Sequence, residues 1–224
     1  MRLLPSLLLA LTLVTSTAHA SSSAATVSKD PSSTVLLVGD SLSAAHRIPT
    51  ETGWVNLLQQ RVDRATTTPP SIVNASRGGK TMTDALKELP DLIVAYRPRL
   101  IILELGANDA ILGASRQTLE QDMARLIDLA QASGAKVAVL GFEIPPKLDK
   151  NRCAEALRQV YARVTREKHV ALVPSLMAGI SDTPKLLLDD GVHPTAAAQV
   201  RLLDNAWPTL RPLLINQTRG QPTR

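Results

Sequence analysis

Cysteine is almost missing. Cys153 is the only one in 224 residues, so no intramolecular disulfide can form and the fold must stand on its core. Aromatic residues are equally scarce, at 2% of the chain. Basic residues exceed acidic ones, for a formal net charge of +5, but they form no blocks. Without a basic footprint or stacking rings, nucleic-acid binding is excluded as an expectation. The surplus charge is read as arginine on solvated helices, not as an anion-binding surface. Long apolar runs are lacking too. Leu3–Val14 is almost wholly apolar, yet shorter than the roughly 20 residues that a membrane span needs.

That run has another reading. Arg2 precedes it, and Ala18-His19-Ala20 follows with small residues where a signal peptidase cuts. Met1–Ala20 is therefore expected to be a secretory signal cleaved after Ala20, with an uncleaved anchor as the alternative. Ser21, not cysteine, follows the cut, which argues against a lipidated terminus. The mature chain is expected in the periplasm or secreted, without a stable membrane span. Residues 21–33, rich in Ser, Ala and Thr, read as a flexible lead-in, and 216–224 as a loose tail. Between them, 34–215 is long enough for one domain with a substantial core. Its composition, 44% hydrophobic and 20% charged over the whole chain, is that of a globular protein.

Strand and helix signals alternate along 34–215. Apolar runs at Thr34–Val38, Ile72-Val73, Leu100–Leu105, Lys136–Phe142 and Val170–Val173 predict five strands. Helical spacing predicts helices over Trp54–Val62, from a cap at Thr81 or Thr83 to Tyr96, and over Thr118–Ala132, Cys153–Glu167 and Thr195–Leu210. Pro90 is expected to kink or divide the second of these. Residues 181–188 read as irregular. This alternation implies an α/β fold with a mainly parallel, five-stranded sheet in a flavodoxin-like three-layer sandwich. Ligands of such sheets bind beyond the carboxyl ends of the strands. Gly39-Asp40-Ser41, Asn74–Gly79 and Gly106–Asp109 each follow a strand directly, so all three should gather at one rim.

Ser41 is expected where a helix begins, after a tight exit at Gly39. A serine hydroxyl needs a base to become a nucleophile. His19 leaves with the signal, His46 lies in a loop with no carboxylate spaced to orient it, and His169 reads as a surface residue. His193 is different, because Asp190 stands three residues before it in Asp189-Asp190-Gly191-Val192-His193-Pro194. Such a carboxylate can curl back to the imidazole Nδ1–H and hold its tautomer. Donors for a developing oxyanion are read in the backbone N–H of Ser41, the backbone N–H of Gly79 and the amide of Asn108. Taken singly, each segment is as readily an ordinary turn. Cys153 reads as a small filler in a helix, not as a nucleophile.

Together, Gly39-Asp40-Ser41-Leu42-Ser43, Asn74-Ala75-Ser76 with Gly79, Gly106-Ala107-Asn108-Asp109 and Asp190-Gly191-Val192-His193 resemble the SGNH (GDSL-type) hydrolase family, over nearly all of 34–214. Within it they look most like the bacterial exported thioesterase I/lysophospholipase/arylesterase branch. The resemblance implies Ser41 as nucleophile, His193 as base, Asp190 as its partner, Gly79 and Asn108 as oxyanion donors, and no metal or other cofactor. Residues 77–80 depart from the family around its glycine, which leaves Gly78 and Gly79 both open. Residues 110–116 and 147–151 diverge from the branch as well.

The expected activity is a serine esterase on small-molecule acyl esters and thioesters. Ile111, Leu112, Ile144 and Pro145, with Leu186–Leu188 beside them, are the candidates to wall an apolar acyl groove. A monomer is expected. A carbohydrate O-deacetylase, a non-catalytic ligand-binding protein and a flavodoxin-like cofactor binder are the alternatives. The short glycine loop at 77–80 offers the last no convincing phosphate cradle.

Overall fold

The structure, a computed structural model, describes residues 34–215 apart from 146 and 150–152. The expected signal, lead-in and tail lie outside these residues. Five strands form the sheet: β1 (Thr34–Gly39), β2 (Ser71–Asn74), β3 (Leu100–Glu104), β4 (Lys136–Leu140) and β5 (Ala171–Val173). All neighbours are parallel and the order is β2-β1-β3-β4-β5. This is the flavodoxin-like order, with its topological switch between β1 and β3. Residues 35–39 of β1 and all of β3 are buried, as strands covered on both faces must be. The edge strands β2 and β5 are short and only partly covered.

Helices α1 (Trp54–Ala65) and α6 (Gln199–Leu214) pack together as one layer. Helix α2 (Met82–Tyr96) packs on α4 (Arg116–Ala132), and α4 on α5 (Cys153–Glu167), as the other. Trp54, Leu58 and Val62, one turn apart, are fully buried, as are Met123, Ile127 and Ala130 on α4. No helix among the described residues is long and apolar enough to cross a membrane.

Several local expectations are revised. No helix starts at Ser41. Residues 41–47 make successive turns, and Ala45 and Arg47 take left-handed φ values of 54° and 57°, which end any helical run. Pro90 does not divide α2, which runs through it as one element. Its position is exposed, so water can satisfy the carbonyl that loses a donor. A capping box of Thr81 and Asp84 starts that helix. Strand β4 ends at Leu140, two residues early. The segment 106–109, which follows β3 and could as readily be an ordinary turn, enters a short helix, α3 (Ala107–Ile111).

Candidate active site

Gly39 ends β1 in a crowded place. A Cβ there would sit 2.8 Å from Glu104 Oε2 and 2.9 Å from Ser76 Oγ. Space, more than backbone freedom, demands glycine. The chain then turns, with Asp40 and Ser43 buried and Ser41 half-buried at the rim.

Ser41 meets His193 across 152 residues. Its Oγ lies 2.9 Å from His193 Nε2, and His193 Nδ1 lies 2.9 Å from Asp190 Oδ2. The second carboxylate oxygen accepts the backbone N–H groups of Val192 (2.8 Å) and His193 (2.9 Å). The turn is thus built around Asp190 itself. Partial burial works to raise the Asp190 pKa, but the N–H groups of His193 and Val192 and the His193 ring outweigh it. The carboxyl is held well below its ordinary range and stays ionised. An ionised Asp190 fixes the proton on Nδ1 and leaves the Nε2 lone pair facing Ser41.

A surface clasp backs this turn. Arg47 donates to both oxygens of Asp189, at 2.7 and 3.2 Å, and lies 3.7 Å from Asp190 Oδ2. The clasp joins the Ser41 turns to the His193 turn. His46, read from the sequence as a plain loop residue, lies with its ring centroid 4.2 Å from that of His193. Its pKa is lowered by desolvation and then by its neighbour His193. His169 sits in a left-handed turn between α5 and β5, away from these groups. Burial, then Asp149, raises the Cys153 thiol, which keeps it protonated.

Asn108, on α3, points its amide at the same rim. Its Nδ2 donates to Asp40 Oδ2 and to the Lys80 carbonyl, both at 3.1 Å. An amide has two N–H hydrogens. With two acceptors already in place, an oxyanion can use Asn108 only by sharing or displacing one of these long bonds. Gly79, one residue before that carbonyl, takes φ +73°, a conformation that suits glycine, whereas Gly78 stays out of that region. The N–H groups of Ser41 and Gly79 have no acceptor among the described residues. Lys80 anchors this loop from below. It is 2% exposed, and its Nζ donates to Glu88 (2.6 Å) and to the Ala75 carbonyl (2.8 Å).

Beneath Ser41 lies a carboxyl pair. Glu104 accepts from the Asp40 N–H (3.2 Å) and the Ser43 hydroxyl (2.9 Å). Burial pushes Glu104 well above the ordinary carboxylate range, helped by the nearby charge of Asp40. Burial also lifts Asp40 to about 6, against the lowering pull of the Leu42 N–H.

A cleft of about 240 Å³ opens over Ser41. Its apolar wall comes from Leu42, Ala107, Ile111, Phe142, Leu148 and Val192, with Asn108 and His193 at its polar end. Of the residues expected to line it, Ile111 does. Leu112 is 77% exposed, while Ile144 and Pro145 are buried beneath the surface, and none of these three reaches the cleft. Leu186–Leu188 do not reach it either. Two available signals point to the missed wall. Phe142 is the chain's one phenylalanine, just past a strand end, and Leu148 is a lone apolar residue in a polar loop. A larger hollow of about 360 Å³, between residues 43–59 and 72–76, holds none of Ser41, Asn108 or His193. The smaller cleft, not this hollow, is the one that brings Ser41, Asn108 and His193 together.

Comparison with known proteins agrees with this picture. The family model for GDSL-like lipases/acylhydrolases matches residues 37–201. The chain is 43% identical to esterase TesA of Pseudomonas aeruginosa over 182 residues, 81% of this chain and 89% of the relative. It is 33% identical to thioesterase 1/protease 1/lysophospholipase L1 of Escherichia coli over 181 residues, 81% and 85% of the two chains. Among solved structures, psychrotrophic esterase EstA from Pseudoalteromonas sp., inhibited by monoethylphosphonate, superposes with a TM-score of 0.75. That pair is 30% identical, covering 81% of this chain and 98% of the other.

Proposed function

The chain belongs to the GDSL-like lipase/acylhydrolase family and is a serine ester hydrolase, and we propose that Ser41 attacks acyl esters and thioesters through an acyl-serine intermediate. The observation that carries this reading is the unbroken hydrogen-bonded line from Ser41 through His193 to Asp190. As Ser41 Oγ bonds to the carbonyl carbon, His193 Nε2 takes its proton, and ionised Asp190 stabilises the imidazolium. The developing oxyanion takes the N–H groups of Ser41 and Gly79, and the Asn108 amide by sharing or displacing one of its present acceptors. Collapse expels alcohol or thiol, which takes the proton from His193. Water then repeats the sequence and frees the acid.

The apolar wall supports an acyl group as the recognised part. A cleft of about 240 Å³ is at the small end of ligand pockets, which suits a short acyl chain or the first stretch of a longer one. Among the described residues Phe142 is the one Phe, Tyr or Trp that lines it, which gives a sugar ring little to stack on. The signal-like residues 1–20 support export to the periplasm or beyond, and a monomer is the expected working form.

Hydrolysis rates on p-nitrophenyl acetate and octanoate, and on a matched acyl thioester, test this reading. Turnover of all three, abolished by Ser41→Ala, is expected. Activity confined to acetyl esters would contradict the acyl groove.

A further inference from the structure

We propose that His46, Asp190 and His193 form a binding site for a divalent transition-metal ion, zinc foremost, and that occupancy silences the enzyme. The silencing part rests on the reading of His193 as the base.

The two imidazole rings lie 4.2 Å apart at an angle of 38°. One donor atom from each, with one Asp190 oxygen, fall within 4.8 Å of one another. All three residues are partly exposed, so an ion and its water can reach them. Two imidazoles and a carboxylate, with a fourth position left to water, are a ligand set that zinc favours. Zinc–nitrogen bonds of about 2.0–2.1 Å place two nitrogens of a tetrahedron about 3.3 Å apart. Closure of about 1.5 Å is therefore enough. His46 can supply it by rotation of its side chain, since its ring is only partly buried.

Local charge does not repel a cation. Arg47 lies 3.7 Å from Asp190, but Asp189 engages its guanidinium through two hydrogen bonds, and the Lys147 ammonium borders Gly191 of the same turn. With neutral imidazoles, Asp189, Asp190, Arg47 and Lys147 sum to zero, so the ligand atoms and not net charge carry the affinity.

Binding removes the general base whichever nitrogen is used. A neutral imidazole has one lone pair. A metal on Nε2 takes the pair that would accept the Ser41 proton. A metal on Nδ1 takes over the place of the proton shared with Asp190, and that proton moves to Nε2. Either way, no lone pair faces Ser41.

The test uses the mature chain after chelator treatment. Zinc chloride is titrated against p-nitrophenyl acetate hydrolysis, and cobalt(II) binding is read from its visible absorption. Wild type is expected to lose activity reversibly, regain it with chelator, and show a cobalt band of low-coordinate type. His46→Phe keeps a ring against His193 but lacks the nitrogen, and His46→Gln guards against a packing effect. Both should need at least about tenfold more zinc for half-inhibition of their own metal-free rate, and lose the cobalt band. His169→Ala should behave as wild type. Unchanged zinc sensitivity in both His46 variants, or no cobalt band in wild type, would overturn the site. A cobalt band in wild type with a rate that stays unchanged under saturating zinc would overturn the silencing while leaving the metal site in place; the reading of His193 as base fails separately, if metal-free His193→Ala keeps the wild-type rate.

Discussion

The two sides of the cleft are built differently. The Ser41–Asn108 side hangs from β1 and β3, the central pair of the sheet, and rests on buried Asp40, Glu104 and Lys80. The His193 side is a turn of residues 187–194, held by bonds within itself, by the isolated bridge Leu187–Pro194 and by the exposed Arg47 clasp. One side borrows the rigidity of the core. The other has Asp190 and a few neighbouring backbone bonds to fold the turn and aim the ring, so its position relies on short-range bonds and surface charge. Ser41 itself aside, the Ser41–Asn108 side should then respond to change through stability as well as rate, and the His193 side through rate alone.

The largest effect is expected at the meeting point. Ser41→Ala and His193→Ala should each lower kcat by 10⁴-fold or more without loss of melting temperature, since neither side chain supports the core. On the sheet side, Asn108→Ala should cost about 10²–10³ in kcat, or about 2.7–4 kcal/mol of barrier lowering. Because Asn108 also ties Asp40 to the Lys80 loop, the melting temperature should fall with it. Steady-state kinetics paired with thermal melts separate the two outcomes.

The clasp gives a smaller, opposite pattern. Arg47→Ala should lower kcat several-fold with little change in melting temperature, because solvent screens an exposed ion pair and leaves it little to add to stability. Combining Arg47→Asp with Asp189→Arg should restore part of the rate. A large drop in stability would show that this side leans on its surface more than its geometry suggests.

The smallest effect concerns the carboxyl pair, read as stability against pH. Asp40 and Glu104 have folded-state values raised above those of the unfolded chain, so the native state binds more protons than the unfolded one. Their contribution is fully present below the unfolded range near pH 4 and is lost as pH rises through about 6 and beyond. Glu104→Gln keeps an acceptor for the Asp40 N–H and Ser43 while removing one titration. Its melting temperature should decline less steeply than wild type above pH 5.

The parallel, flavodoxin-like sheet was legible because strands alternate with helices, and because β1 and β3 are written as apolar runs that empty into polar residues at one rim. Ser41, Asn108, Asp190 and His193 could be named for the same reason, since strand ends and a short turn place them without knowledge of distant contacts. The cleft wall was not legible in this way. Ile144 and Pro145 look like loop anchors but lie buried, while Leu148 and Val192 acquire their role only when two remote loops close over the rim. The helix expected at Ser41 failed on two left-handed residues, Ala45 and Arg47, that carry no glycine to announce them. His46 has no carboxylate spaced to orient it in the sequence; the fold provides Asp190 from the far end of the chain.

One measurement reaches the centre of this account. A fluorophosphonate probe, applied to wild type and to Ser41→Ala and His193→Ala and mapped by peptide mass spectrometry, reports which hydroxyl is activated and by what. The account predicts a single adduct on Ser41 in wild type, none in Ser41→Ala, and almost none in His193→Ala. Labelling of another serine, or full labelling of Ser41 without His193, would contradict it.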